Sequence, residues 1–454
     1  MKISVIGCGY VGLVTGAGLA SAGHTVRVVD IDPGKVTTIN TGQPPFYEPD
    51  LPEVLQKVVS GGTLSATVDV NEAVRDSDVV FVCVGTPSRP NGSIDTKALE
   101  TATHQVAECM RDSKRYQVLA IRSTVVPGTT SGLVVPLMQE VMKGHQVWYD
   151  VAVNPEFLQE GTAVKDFFSP DRVVLGVTDQ RAAETLKAVY APFNAPVVVA
   201  TTTEAEMIKY TSNTLLATLV SFSNEISQIC EALPGVDADL VMNAIHLDRR
   251  FYSSEGKKSP AGIVSYLRPG CGFGGSCLPK DLRALLARSE ELGVPTPLLS
   301  SVKDINEAQP IHVVDLVENA LLDLAGKRIV VLGLAFKGGT ADLRESPALT
   351  IVEELLRRGA RVTAFDPLVQ ADAAPELTKL LIELAPDINS ALAGAEAIII
   401  TTNAPEFTNL SPDSLVMNGK KPLVVDGRRV LNPEAFSQSD AIYLAVGRRN
   451  IEVM

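Results

Sequence analysis

Short apolar runs alternate with helical patterns through the first 200 residues. "KISVIG" from Lys2 reads as a buried strand, "GLVTGAGLASAG" as a helix of small residues, and "TVRVVD" as the next strand. "DVVFVCVG", "QVLAIRS" and "VVLG" extend the series, a strand–helix–strand rhythm that predicts a parallel sheet covered on both faces by helices. Residues 204–233 break it, because no glycine or proline interrupts the run before Pro234. As one helix it would span about 45 Å, which suits a bridge between domains or a subunit interface, and also an ordinary core helix. The last third returns to the first pattern. "GKRIVVLGLAFKGG", "GARVTAFDP" and "AEAIIITTNAP" echo "KISVIGCGYVGL", "GHTVRVVDID" and "SDVVFVCVGTP". The expected fold is α/β: two Rossmann-like, doubly wound domains, 1–200 and 301–454, joined by a helical middle domain, 201–300, with one long central helix.

A chain of 454 residues has room for about three domains. Its net charge of −13 argues against nucleic acid or an anionic membrane as the main partner, so any phosphate site must rely on local charge. No stretch is long and apolar enough to span a bilayer, and the N-terminal strand does not look like a cleaved signal, so a cytoplasmic protein is expected. The six cysteines are scattered without a CxxC pair and histidine is rare, which speaks against a metal site and against a disulfide framework.

"GCGYVG" places Gly7, Gly9 and Gly12 in the GxGxxG spacing, after a strand and at the opening of a helix, with Asp30 ending the next strand 18 residues past Gly12. In that setting Gly7 makes the tight turn, Gly9 admits a pyrophosphate, Gly12 lets helix and strand approach, and Asp30 accepts from the ribose hydroxyls. A 2′-phosphate would meet that carboxylate with no compensating charge at Ile31 or Asp32, so NAD is expected over NADP.

Three further stretches carry candidate chemistry. "NPEFLQEG" reads as a helix start, with Asn154 as N-cap, Pro155 at the first position, and Glu156 and Glu160 on one face. Lys209 and Asn213 lie four apart in the apolar long helix, where a lone lysine is more often solvated than functional. "GFGGSCLPKD" puts Cys277 on glycine-rich backbone before a helix that starts near Pro279. The helix dipole and Lys280 favour the thiolate, Asp281 opposes it unless engaged elsewhere, and the loop's N–H groups are free to hold an oxyanion. Taken alone, a cysteine is more often a small buried hydrophobe than a nucleophile.

These pieces occur in one order: GCGYVGL with its following Asp30, "GTP" at 85–87, "ST" at 123–124, "NPEFLQEG", "KYTSN", "GFGGSCLPKD" and "FKGGTADLRES". In that order the chain resembles the UDP-glucose/GDP-mannose dehydrogenases over nearly its whole length. The resemblance implies an NAD-dependent enzyme that oxidises the C6 alcohol of a nucleotide sugar to a carboxylate in two hydride transfers. It makes 1–200 the NAD domain, 201–300 the central, dimerising domain and 301–454 the UDP-binding domain. Cys277 is implied as the nucleophile, passing through a thiohemiacetal and a thioester. Lys209 and Asn213 would hold the oxygen where charge develops. Thr124 and Glu156 would orient the hydrolytic water, and Asp281 would assist acid–base work. The implied cofactor contacts are Gly7, Gly9, Val11, Gly12, Asp30, Lys35, Thr86, Thr124, Glu160, Lys280 and Arg344. The implied sugar-nucleotide contacts are Glu156, Phe157, Leu158, Gln159 and Glu160, then Lys209 and Asn213, then Tyr266, Leu267, Arg268, Pro269 and Gly270, with Gly274 and Lys337. No metal is implied, and a homodimer or larger homo-oligomer is.

"GYVGLVTG" and "FYEP" look like the UDP-glucose branch, whereas "YLRPG" at 266–270 is similar to GDP-mannose members. UDP-glucose is the preferred substrate on this reading, with GDP-mannose or a UDP-N-acetylhexosamine as alternatives. Residues 247–265 depart from the short connection common in UDP-glucose members. Arg428 and Arg429 of "DGRR" suit phosphate contacts or a solvated pair equally. A single-step dehydrogenase of the 3-hydroxyacid or 6-phosphogluconate type would need neither Cys277 nor a second nucleotide domain, and a non-catalytic NAD-binding scaffold would need no Cys277, Lys209 or Glu156.

Overall fold

The structure is a computed structural model, and it describes residues 1–251, 262–370, 377, 379–380, 382–415, 422–436, 439 and 441–448. The chain forms two compact units, Met1–Ser212 and Asn213–Met454.

The first unit holds an eight-stranded sheet: β1 Lys2–Ile6, β2 Thr25–Val29, β3 Leu64–Thr67, β4 Val79–Val82, β5 Gln117–Ile121, β6 Tyr149–Val153, β7 Val173–Gly176 and β8 Val197–Ala200. Their order is β3-β2-β1-β4-β5-β6-β7-β8. The first six run parallel, and β7 meets β6 antiparallel through the single pair Val153–Gly176, so β7 and β8 are reversed. β4 and β5 are buried at every residue, as expected of strands covered on both faces. The helix Tyr10–Ser21 packs closely because it is made of small residues. A Cβ on Gly16 would lie 2.6 Å from Val28, and one on Gly18 would lie 2.2 Å from the Phe167 ring.

The second unit holds a six-stranded, all-parallel sheet: β9 Arg328–Leu332, β10 Arg361–Phe365, β11 Glu383–Leu384, β12 Ala397–Ile400, β13 Leu423–Asp426 and β14 Ile442–Ala445. Its order, β11-β10-β9-β12-β13-β14, repeats the arrangement of β3-β2-β1-β4-β5-β6. In both sheets the order reverses beside the first strand, where a doubly wound sheet opens a crevice at its carboxyl edge. Helices Ala238–His246, Leu278–Glu291 and Pro297–Leu321 precede this sheet.

The glycine-free run is one helix, Thr202–Ala232, about 46 Å long, and the boundary of the two units falls inside it. Its outward residues include Met207, Leu215, Phe222 and Ile229. Among the described residues no helix is long and apolar enough to cross a membrane.

Candidate active site

The glycine turn after β1 has the shape a pyrophosphate needs. Gly7 sits at φ +100°, in the left-handed region that favours glycine. A Cβ on Gly12 would lie 1.9 Å from the Gly7 carbonyl oxygen, whereas one on Gly9 meets nothing within 4 Å. Two glycines therefore serve the fold and the third leaves open space at the head of the helix Tyr10–Ser21, whose first turn carries no acidic residue. Asp30 closes the turn, accepting from the Cys8 N–H at 2.9 Å and the Asp32 N–H at 3.0 Å. Its remaining lone pairs suit ribose hydroxyls, and Ile31 beside it is 95% exposed. These residues fit NAD. Val11 lies in the helix's first turn, and Lys35 lies in the helix Pro33–Asn40 capped by Asp32. Thr86 is buried after β4 and donates to the Thr124 carbonyl at 2.8 Å, so these two residues meet at the strand ends.

The stretch 154–159 is not helical, and the next helix is Ala163–Phe168. Asn154 does not cap it. Its Oδ1 accepts from Arg122 at 2.6 Å and from the Tyr190 hydroxyl at 2.6 Å, while its Nδ2 donates to the Val174 carbonyl. The buried polar network outcompetes local capping. Glu156 therefore faces inward from non-helical backbone. Its carboxylate accepts from Lys209 Nζ at 3.0 Å and from the Leu158 N–H at 2.6 Å, and both partners of the ion pair are 5% exposed. Burial alone would raise the Glu156 pKa. The Lys209 ammonium, these hydrogen bonds and the charge of Arg122 outweigh it and hold the carboxyl below its ordinary value. Phe157 lies between two cations, 4.1 Å from the Arg172 guanidinium and 5.4 Å from Lys209 Nζ. Leu158 and Glu160 are half-buried and Gln159 is exposed.

Cys277 is exposed and occupies the N-cap of the helix Leu278–Glu291. The other five cysteines are buried or half-buried, and burial pushes every one of their thiols up, Cys83 and Cys271 to about 12. One turn into the helix, the Asp281 carboxylate is 1% exposed. It accepts from Asn213 Nδ2 at 2.6 Å and from Lys280 Nζ at 2.5 Å, so each of its oxygens has a partner.

The loop glycines play a different part from the expected one. A Cβ on Gly274 would lie 2.2 Å from the Glu345 carbonyl oxygen, one on Gly275 2.9 Å from the Phe336 ring, and one on Gly272 2.9 Å from Asn306 Oδ1. The Gly275 N–H donates to the Arg344 carbonyl and the Phe273 N–H to Asn306 Oδ1, so neither is available to an oxyanion. The backbone is bare because the protein itself, in the "FKGGTADLRES" segment and the helix Pro297–Leu321, packs against it.

The second unit repeats the first turn. Gly333, at φ +102°, follows β9, and Asp366 accepts from the Leu334 and Ala335 N–H groups as Asp30 does from Cys8. Here, however, the following helix begins only at Pro347. The intervening loop carries Lys337, with Nζ 5.6 Å from the Phe336 ring, and Arg344, which pairs with Asp342 at 2.7 Å. Gly270 donates to Asn224 and accepts from Gln309, and Arg428 lies beside it, 3.3 Å from where a Gly270 Cβ would stand. Tyr266 is half-buried, Leu267 and Pro269 are buried, and Arg268 is exposed, 3.8 Å from Asp239. Arg429 is not solvated: it pairs with Asp237 at 2.5 Å and is 7% exposed. Of the divergent stretch 247–265, residues 252–261 lie outside the described residues.

Sequence profiles of one family match in succession: the UDP-glucose/GDP-mannose dehydrogenase NAD binding domain over 1–194, its central domain over 203–308 and its UDP binding domain over 330–433. The chain belongs to the UDP-glucose/GDP-mannose dehydrogenase family. A UDP-glucose 6-dehydrogenase of Haloferax volcanii is 40% identical over 95% of this chain and 97% of its own. A GDP-mannose 6-dehydrogenase of Pseudomonas savastanoi pv. phaseolicola is 37% identical over 96% of each chain. The solved UDP-glucose dehydrogenase of Pyrobaculum islandicum superposes with a TM-score of 0.89 at 40% identity, over 98% of this chain and 97% of that one. The cofactor of this dehydrogenase is NAD, and the expected α/β class with a helical middle holds.

Several residues of the dehydrogenase escaped sequence reasoning. Glu48 is buried and accepts from the Gly161 and Ala163 N–H groups, both at 2.7 Å, and from the Tyr10 hydroxyl, tying the cofactor helix to the end of "NPEFLQEG". Glu206 accepts from the Gly128 and Thr130 N–H groups and anchors the loop after Thr124. Arg122, just after β5, donates to three residues distant in sequence, Thr15, Asn154 and Tyr190. Its one local signal is a charge closing an apolar strand.

Proposed function

We propose that this dehydrogenase oxidises the C6 hydroxymethyl group of UDP-glucose to a carboxylate, giving UDP-glucuronate through covalent intermediates on Cys277. The observation that carries the reading is that Cys277 alone among six cysteines is exposed, at a helix N-terminus whose neighbouring carboxylate is already engaged. Bound NAD supplies the hydride acceptor in each of the two oxidations, held by Gly7, Gly9, Val11, Gly12, Asp30, Lys35, Thr86, Thr124, Glu160, Lys280 and Arg344. Lys209 and Asn213, one turn apart on the long helix, hold the C6 oxygen, and Lys209, after giving its own proton to water, takes the alcohol proton. The Cys277 thiolate adds to the aldehyde carbon, forming a C–S bond. After the second oxidation that bond belongs to a thioester. Water ordered by Thr124 and Glu156 attacks the acyl carbon, Glu156 takes its proton, and the thiolate leaves. The sum is one alcohol, one water and two NAD giving one carboxylate, two NADH and three protons. Residues 156–160, Tyr266–Gly270, Gly274 and Lys337 hold the sugar nucleotide, with Arg428 as an added phosphate contact. The partition 1–200, 201–300 and 301–454 is part of this reading.

The chain also acts as a homodimer or larger homo-oligomer on this proposal. Leu215, Phe222 and Ile229 recur every seven residues on the long helix and are 48%, 45% and 52% exposed, a stripe suited to a second copy. Six free thiols suit the cytoplasm.

The test is NADH production with UDP-glucose, GDP-mannose and UDP-N-acetylglucosamine in separate assays. Two NADH per UDP-glucose, with weaker turnover of the others, is expected. Preferred turnover of GDP-mannose, which the relative at 37% identity and "YLRPG" favour, would move the substrate. One NADH per sugar would remove the covalent mechanism.

A further inference from the structure

Arg122 is a buried cation whose hydrogen bonds all go to neutral groups. It is 5% exposed at the end of β5. Its Nε donates to Thr15 Oγ1 at 2.9 Å, and its Nη1 donates to Asn154 Oδ1 at 2.6 Å and the Tyr190 hydroxyl at 3.1 Å. Among the described residues it makes no ion pair within hydrogen-bonding reach. A guanidinium placed so deep costs stability unless an anion answers its charge. The anion whose charge it meets is Glu156, two residues beyond Asn154, and both line one cavity of about 110 Å³ together with Asp171, Arg172 and Tyr190. Glu156 already has Lys209 at 3.0 Å, so two cations serve one carboxylate.

We propose that Arg122 is a positioning residue that keeps Glu156 anionic while Lys209 exchanges its proton with the substrate oxygen. The inference rests on the hydrolytic role of Glu156 proposed above. Lys209 can serve the chemistry only by becoming neutral for part of the cycle, and in that interval its pairing with Glu156 weakens. Burial, the largest influence on Glu156, then pushes the carboxyl towards its protonated form, which cannot take a proton from water. Arginine does not titrate, so its charge persists through the cycle, and its bonds to Asn154 and Thr15 hold it in place. The other charged or titratable groups around Glu156 are Cys83 at the end of β4, Tyr190 from the helix Gln180–Tyr190, and Asp166, Asp171 and Arg172 across the cavity. None of them is a permanent cation bonded beside Glu156 as Arg122 is, since Arg172 stacks on Phe157 and donates to Ser212.

The test is the pH profile of thioester hydrolysis in the full-length enzyme, by rapid quench, for Arg122→Gln, Arg122→Lys and Tyr190→Phe. Arg122→Gln should move the acid limb up by about one pH unit, an approximately tenfold loss at a pH on that limb. Arg122→Lys keeps a charge but not the forked bonds, so it should lower the melting temperature and leave the limb in place. Tyr190→Phe should do likewise. An unmoved limb in Arg122→Gln, or an equal displacement in Tyr190→Phe, overturns the proposal in favour of simple cross-linking. If Arg122→Gln does not fold, Arg122→Lys decides: a wild-type limb supports the role of charge and a displaced limb overturns it. Glu156→Gln separates the two readings. If it hydrolyses the thioester normally, the role of Glu156 itself is wrong. If it blocks hydrolysis while Arg122→Gln leaves the limb unmoved, only the inference about Arg122 falls.

Discussion

Asn213 donates its side-chain N–H to the buried carboxylate of Asp281 across 2.6 Å, and this bond decides what the carboxylate beside Cys277 does. With Lys280 on its other oxygen, Asp281 is satisfied within the protein. Asn213→Ala leaves that buried acceptor short of a partner, a loss of about 1–3 kcal/mol. The urea midpoint should fall accordingly, and turnover should fall further than stability explains.

The glycine turn separates folding from cofactor binding. Gly9→Ala adds a methyl group in open space, so its melting temperature should match wild type while its KM for NAD rises at least about tenfold. Gly12→Ala drives a Cβ to 1.9 Å from the Gly7 carbonyl and should cost stability as well. Equal melting temperatures for the two variants would contradict the contact between Gly12 and the Gly7 carbonyl.

Thiol reactivity should single out one residue. The folded enzyme should react rapidly with about one equivalent of a chromogenic disulfide, because burial raises the pKa of the other five thiols. Cys277→Ser should lose that equivalent together with thioester turnover, while slow first-step NADH formation persists, and the unfolded wild-type chain should react at all six cysteines.

His312 and Glu231 set a pH dependence within the second unit. His312 Nε2 lies 2.7 Å from the Glu231 carboxylate, whose other oxygen accepts from the Gly447 N–H at 2.6 Å. Burial pushes the imidazole pKa down, but the Glu231 hydrogen bond and charge outweigh it, so the folded value lies above 6.5. A raised folded pKa means the stabilisation is fully present below pH 6.5 and is lost as pH rises through the folded value. Melting temperature should therefore decline above neutrality more in wild type than in His312→Gln.

The exposed stripe on the long helix predicts assembly. Phe222→Glu places a charge on it and should shift the enzyme towards monomer in sedimentation, with little change in the melting of each chain. An unchanged oligomer would move the interface elsewhere.

The GxGxxG spacing, Asp30 and the alternation of apolar runs were legible in the chain because each is a local rule: a left-handed turn, a strand end, a period of two or 3.6. The long helix was equally plain, since no breaker interrupts it. "NPEFLQEG" misled for a reason that is not local. Asn154 and Pro155 carry a helix-start pattern, yet Arg122 and Tyr190, distant in sequence, claim the asparagine, and the segment does not form a helix. The glycines before Cys277 looked bare for a ligand, whereas tertiary packing of Glu345, Phe336 and Asn306 explains their need. Sequence alone therefore determined the alternation of strands and helices, the long helix and the glycine turn. Tertiary structure decided the side chains' partners and charge, because hydrogen bonds and burial act between residues that no spacing along the chain relates.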